Sequence, residues 1–187
     1  MTGGDAVQVV TFGIGSEIFA VPVAIVREIL DHQTPFRLPN APDYFVGLID
    51  VRGLAVPTID LRLRLGLPTT PPTPLTRIFI LEVPCADGAP LMLGLVVDRA
   101  LVVSAFTRDR IEQPPRIGVR WRSDYITGVI RQDGGFVVLI DMARVLNSED
   151  AALLADAAAD GGFGDGAATD GAFAVPADAG RGASAAA

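Results

Sequence analysis

From residue 7 to residue 140, apolar residues recur in short runs at every second position, and turn residues separate the runs. Alternation puts successive side chains on opposite faces of an extended chain, which is the mark of half-buried β-strands. Residues 7–14 (VQVVTFGI) and 18–21 (IFAV) read as a hairpin turned at Gly15, Ser16 and Glu17. Pro22, lacking an N–H, ends that ladder. Residues 45–51 (FVGLIDV) and 54–60 (LAVPTID) read as a second strand pair joined across Arg52 and Gly53, followed by one helical turn over 61–65 that Gly66 stops. Residues 77–83, 91–97 and 101–106 form a third set of strands. Residues 125–131 and 136–140 pair across Gln132, Asp133, Gly134 and Gly135, and a helical turn over 142–146 closes the series. Between these runs no segment supplies the crossover helix of a dozen residues that an open parallel sheet requires. About ten short strands with small helical insertions therefore predict two small barrels.

Residues 23–30 (VAIVREIL) break the alternation. Val23, Val26, Ile29 and Leu30 fall at helical spacing, Pro22 precedes them and Asp31 follows, which predicts about two helical turns. Pro35, Pro39 and Pro42 then hold the chain extended, with a turn at Asn40, and residues 68–74 (PTTPPTP) form a stiff exposed loop.

The composition changes near Asp150. In 151–187, 23 of 37 residues are Ala or Gly, with five Asp and one Arg. So little apolar area cannot offset the entropy of ordering the chain, and 161–187 is expected to be a disordered tail. Residues 148–160 (SEDAALLADAAAD) are the exception. Ser148 is a candidate cap, Glu149 and Asp150 suit the positive end of a helix, the alanines propagate it, and Leu153 and Leu154 are its candidate docking residues. The expected organisation is a flexible start over 1–6, a folded domain over 7–147, a helix over 148–160 and the tail.

Several chemistries are excluded at once. All 15 basic residues are Arg, so lysine Schiff bases and phosphate-loop lysines are absent, and a net charge of -7 disfavours a nucleic-acid backbone. One Cys (Cys85) and one His (His32) cannot build a disulfide framework or a zinc site, and no cofactor is expected. The amino terminus carries no basic stretch followed by an apolar run, and no apolar run approaches the ~20 residues of a membrane helix, so a cytoplasmic protein without membrane insertion is expected. Three signals remain. Asp50 and Asp60 flank the strand pair carrying Arg52 and would matter as a general acid and base only in a shared pocket; otherwise they cap strand ends and pair with Arg. Trp121 among Arg116, Arg120 and Arg122 would suit a single-stranded nucleic-acid barrel if a basic face surrounded it. His32, just past a predicted helix end, reads as structural.

Four stretches carry a family resemblance: FAVPVAIVREIL (19–30), LPNAPDYFVGLIDVRGLAVPTIDLRLRLGL (38–67), LGLVVDRALVV (93–103) and YITGVIRQDGGFVVLIDMARVLNSED (125–150). Their order resembles that of CheW, the bacterial chemotaxis coupling family, over about residues 7–159. The second stretch is the most diagnostic, with Pro-Asn-x-Pro, then a Gly-containing strand ending in Arg-Gly, then Val-Pro and Asp-Leu-Arg.

The resemblance implies two SH3-like five-stranded β-barrels packed on a hydrophobic interface. It implies a free-standing, non-catalytic adaptor that links chemoreceptor signalling tips to the regulatory domain of the histidine kinase CheA, beside membrane-bound receptor arrays. A coupling protein of a pilus-motility or surface-sensing pathway is the near alternative. Carried over by position, Val26, Glu28, Arg52, Gly94 and Val103 match receptor-binding or coupling positions, and Gly47, Asp50 and Arg52 match kinase-binding or signalling positions. Asp50 departs from the family, where Asn is usual. Val26 and Val103 would line a groove for a receptor helix, although Val26 is equally placed for ordinary core. Glu28 is the expected partner of Arg52.

Overall fold

The computed structural model describes residues 6–85, 88–114 and 124–160. These residues form eleven strands in two sheets and three short helices. One sheet is built from β3 (Val26–Asp31), β6 (Arg77–Val83), β7 (Leu91–Val97), β5 (Leu54–Asp60) and β4 (Phe45–Val51), in that spatial order. The other runs β8 (Arg99–Thr107), β1 (Ala6–Ile14), β2 (Glu17–Pro22), β11 (Gly135–Ile140), β10 (Ile126–Gln132) and β9 (Ile111–Glu112). The helices are α1 (Leu61–Arg64), α2 (Met142–Val145) and α3 (Ser148–Asp160). The fold is mainly β with two SH3-like barrels, as the sequence predicts. The second sheet has six strands rather than five because two-residue β9 adds to its rim.

Three hydrophobic cores hold this together. Val9, Ala20, Phe106, Ile130, Val137 and Leu139 fill one barrel; Ile49, Val51, Val56, Ile78 and Ile80 fill the other. The third and largest lies between the sheets, where Phe12 stacks on Phe19 and meets Phe79 edge-on at 5.3 Å. β6 feeds both sides: Ile78 and Ile80 point into its own barrel, while Phe79, Leu81 and Val83 point at the other sheet. Burial on both faces explains why its sequence, RIFILEV, is nearly continuous in apolar residues.

One prediction is corrected. Residues 23–30 are not a helix: only Val23–Ile25 make a single 3-10 turn, and Val26–Asp31 run as strand β3 along β6. The helical spacing was local, whereas the strand gains a ladder of backbone hydrogen bonds and a place for β-branched Val26 and Ile29. Each sheet is mixed, with one parallel pair. β5 runs parallel to β7, and β11 parallel to β2. The link from β5 to β7 passes through α1, the Pro/Thr loop and β6, so a strand does the crossover that an α-helix does in open parallel sheets.

Helix α3 appears over the predicted span, but its cap is Asn147, one residue before the predicted one. The Asn147 side chain accepts from the Asp150 amide (2.7 Å) and Asp150 Oδ2 accepts from the Asn147 amide (3.1 Å), a reciprocal capping box. Leu154 is fully buried and Leu153 is exposed. The expectations for residues 1–5, for the tail over 161–187 and for Trp121 with Arg116, Arg120 and Arg122 lie outside the described residues.

Candidate functional site

The five-stranded sheet closes on itself. Beyond β3 the chain returns to the opposite edge, where Phe36 and Leu48 exchange two backbone hydrogen bonds (2.7 and 2.8 Å). Gly47 makes this possible: it sits at φ +136°, at a bulge in the β4–β5 ladder, and any Cβ there would collide with the Phe36 carbonyl. Closure brings edge strand β3 near the tip of the β4–β5 hairpin. There Arg52 Nη2 reaches Glu28 Oε2 at 3.1 Å, the ion pair expected from sequence.

The hairpin tip is built against local preference. Arg52 (φ +54°) and Gly53 (φ +85°) are the two central residues of a two-residue turn between Val51 and Leu54. Both in the left-handed region define the I′ turn, whose first position favours Asn, Asp or Gly. A long side chain held there costs of order 1 kcal/mol of backbone strain. Asp50 secures the turn, its Oδ1 accepting from the Gly53 amide at 2.7 Å. The Arg52 side chain is 83% exposed and Glu28 25%, so the charge projects outward from a fixed base. Leu54 is exposed beside it.

Asp60 does different work. It caps α1, accepting from the Arg62 amide at 2.8 Å, and burial pushes its carboxyl above the usual range. Asp50 and Asp60 thus serve two separate turns, as the simpler of the two sequence readings has it. Cys85 packs against the inter-sheet core with its thiol 3.7 Å from the Val83 carbonyl. Among the described residues, no three His, Cys, Asp or Glu side chains gather as a metal site would. No helix among them is long and apolar enough to cross a membrane.

The remaining matched positions separate into two kinds. Gly94, on β7, lies against buried Thr58, whose hydroxyl occupies the space a Cβ would need. Its role in the fold is close packing between β5 and β7. Val26 is half-buried against the inter-sheet core. Val103 belongs to the other sheet. It stands on edge strand β8 with Leu101 and Val102, and Val102 and Val103 are 61% and 66% exposed. β8 is anchored where its ladder with β1 slips: Thr11 Oγ1 donates to the Val102 carbonyl (2.8 Å) and accepts from the Val102 amide (3.1 Å). So the structure gathers Glu28, Asp50 and Arg52 with Gly47 beneath them, and sets Val103 apart on an apolar edge.

Sequence reasoning missed two polar junctions. Arg62 clasps Asp98 with two hydrogen bonds (2.8 and 2.5 Å), and Asp98 also accepts from the Gly15 amide at 2.6 Å. This ties α1 of one barrel to the β1–β2 turn of the other, and Arg62 holds the Asp98 carboxyl below the usual range. Asp150 forms the second junction, accepting from Tyr44 Oη and from Arg64 Nη2 (2.7 Å) while Arg64 lies over the Tyr44 ring. Burial first, then the Asp150 carboxylate, pushes the Tyr44 phenol up to about 12. The spacing Asn147-x-x-Asp150 was a readable capping signal. Nothing in sequence tells that Tyr44, a hundred residues earlier, completes it.

Comparison with known proteins gives one answer. The CheW-like domain matches residues 8–150. The chemotaxis protein CheW of Bacillus subtilis (strain 168) is 32% identical over 143 residues, 76% of this chain and 88% of that one. Protein PilI of Pseudomonas aeruginosa is 27% identical over 128 residues, 68% of each chain. The crystal structure of the scaffolding protein TtCheW from Thermoanaerobacter tengcongensis shares the fold, with a TM-score of 0.67 at 23% identity, over 77% of this chain and 94% of that one. A family model that spans both barrels and the closing turn into α3 leaves no ambiguity: the chain belongs to the CheW family of chemotaxis adaptors.

Proposed function

We propose that this chain couples chemoreceptor cytoplasmic tips to the histidine kinase CheA, working entirely by non-covalent contact next to membrane-bound arrays. The observation that carries the proposal is Arg52. An exposed arginine in a left-handed turn position, where Asn or Gly would cost less, is not there for stability; its ion pair with Glu28 is too exposed to contribute more than ~0–1 kcal/mol. Its use is a charge held in fixed geometry, which sets register and partner choice across an interface. In this reading Gly47, Asp50 and Arg52 form the kinase-facing and signalling element, and Glu28, paired with Arg52, serves receptor coupling. Val103, with Val26 and Gly94 behind the packing, serves the receptor side, where an apolar surface suits a helix.

The test is capture of a receptor signalling-tip hairpin together with the CheA regulatory domain by the purified chain. Arg52→Glu is expected to leave the thermal transition in place and to abolish control of the kinase. Failure of the unmodified chain to hold either fragment overturns the proposal. A second reading, a coupler in a pilus-motility or surface-sensing pathway, is favoured by the likeness to PilI; capture of the receptor and kinase of such a pathway, in preference to those of swimming chemotaxis, would establish it.

A further inference from the structure

Among the described residues, Phe36 is the most exposed large apolar side chain, at 68%. Its backbone, by contrast, is pinned. The Phe36 amide donates to the Leu48 carbonyl and its carbonyl accepts from the Leu48 amide, at 2.7 and 2.8 Å. These are the bonds that close the five-stranded barrel, and Pro35 stiffens the chain just before them. The ring joins none of the three hydrophobic cores. Closure therefore holds a phenyl group in water on a fixed base.

The place where it is held decides what it can meet. Phe36 stands directly opposite Leu48 in an antiparallel bridge, so the two side chains share a face. Asp50 lies two residues further along β4, on that same face, and is exposed. The ring and the carboxylate are thus diagonal cross-strand neighbours, roughly 7–8 Å apart. Asp50 in turn secures the turn that projects Arg52. An apolar ring, a carboxylate and an 83% exposed arginine side chain follow one another on a rigid backbone.

We propose that Phe36 is an anchor of the kinase-facing surface, entering an apolar socket on the CheA regulatory domain beside a carboxylate that meets Arg52. This rests on the adaptor reading and deepens it, since it adds a residue to that surface and states the chemistry of what it fits. Large aromatic and arginine side chains dominate binding energy when a partner desolvates them together. A ring with two rotatable bonds on a pinned backbone loses little freedom on docking. Continuity with Asp50 and Arg52 selects the kinase over the receptor, because Val103 stands on the other sheet.

The experiment is calorimetric titration of the full chain, Phe36→Ala and Phe36→Leu with the CheA regulatory domain and, separately, with a receptor signalling-tip hairpin. Phe36→Ala is expected to weaken kinase binding at least tenfold, and Phe36→Leu, which keeps an apolar anchor, by less than about threefold. Receptor affinity, the thermal transition and amide exchange at Leu48 should stay as in the unmodified chain. Kinase affinity indifferent to the ring overturns this inference alone, whereas an unmodified chain that binds neither fragment overturns the adaptor reading and this one with it. A loss on the receptor arm as large as on the kinase arm also overturns it. So does faster exchange at Leu48 in Phe36→Ala, which would make the ring part of barrel closure. Self-association of the unmodified chain that Phe36→Ala abolishes, with kinase binding intact, overturns it in favour of a second copy.

Discussion

Residues 43–61 and 124–142 repeat one construction in the two barrels. Each begins Asp-Tyr, has a glycine three residues after the tyrosine, turns through a hairpin and ends in Ile-Asp before a one-turn helix. The Asp60 amide donates to the Tyr44 carbonyl and the Asp141 amide to the Tyr125 carbonyl, both at 2.8 Å. Asp60 caps α1 and Asp141 caps α2 in the same way. Even the bulges agree, one before Gly47 and one before Gly128. What differs is the set of side chains hung on the frame. Arg62 and Arg64 of the first copy stand where the second has Ala143 and Val145, and Arg52 at the first hairpin tip faces an Asp133-Gly134 turn at the second. One unit is a plain barrel corner. The other carries the link to its neighbour, the clamp on α3 and the projecting charge, so among the described residues the most buried ion pairs are concentrated in one half, while those of the second unit, Arg131 with Glu112 and Arg144 with Asp141, are more exposed.

The strongest way to break the comparison is at the two glycines. Gly47→Ala would force a Cβ into the Phe36 carbonyl at a positive φ, with the Pro35 ring close behind it. Left-handed strain and overpacking together predict a loss of about 3–5 kcal/mol. Gly128→Ala would meet chiefly the Ile111 side chain rather than backbone, at an ordinary φ, and is expected to cost about 1–3 kcal/mol. Urea unfolding of the two variants measures both. Equal losses would mean that barrel closure at Phe36–Leu48 places no special demand on Gly47.

Next in size is the Arg62–Asp98 pair, which the second unit has no counterpart for. Arg62 is 13% exposed and Asp98 25%, so Arg62→Ala would leave a carboxylate half-desolvated; a cost of roughly 2–3 kcal/mol is expected. The pair also has a pH signature. Arg62 and the Gly15 amide hold the folded pKa of Asp98 below its unfolded value near ~4, so its stabilisation is complete above that range and is lost as pH falls through the folded value. Asp60 works in the opposite sense: burial raises its folded pKa, so its contribution favours the fold at acid pH and fades as pH rises through the raised value. Arg62→Ala should therefore flatten the acid side of the stability curve followed by urea midpoints from pH 2 to 7. An unchanged acid slope would remove Asp98 from the account. Arg144→Ala, in the second unit, breaks an exposed contact to Asp141 and an exposed hydrogen bond to the Asp124 carbonyl (3.2 Å) and is expected to cost under about 1 kcal/mol.

The strands were legible because their signal is local. Alternation and turn residues place β4, β5, β6, β7 and β11 within a residue of their observed ends, and the single helical turns after Asp60 and Asp141 read correctly as well. β3 was misread for the converse reason: Val23, Val26, Ile29 and Leu30 satisfy a helical face locally, and only β6, fifty residues away, decides otherwise. The Glu28–Arg52 pair was anticipated from the family resemblance, not from spacing. The junctions at Asp98 and Asp150 join residues 36 and 106 positions apart, and no local pattern encodes such a meeting.

A smaller effect is expected at the clamp on α3. Asp150→Ala removes the capping partner of Asn147 and the acceptor of both Tyr44 and Arg64, while Leu154 stays buried. A cap and charge-assisted hydrogen bonds predict a loss of about 1–2 kcal/mol. It should appear as faster amide exchange in α3 with the β6 amides unchanged. The Tyr44 phenol, relieved of the nearby carboxylate, should titrate below about 12, read by ultraviolet absorbance. Exchange that quickens throughout the chain would instead make the clamp part of the global core.

The smallest change in stability, and the most telling, is at Arg52. If the arginine were there for the fold, Arg52→Gly would weaken the protein by breaking the contact to Glu28. The turn geometry argues for the reverse sign. Glycine takes φ +54° without strain, while the exposed ion pair that is lost is worth little, so the variant should be unchanged or stabilised by up to about 0.5 kcal/mol. Placing a glycine or asparagine there makes the first hairpin tip as plain as the second. Kinase control by receptors should then fall sharply in a protein that unfolds no earlier than the original. A variant that melts lower and still couples would return Arg52 to the architecture and leave the two halves differing only in how they are stapled.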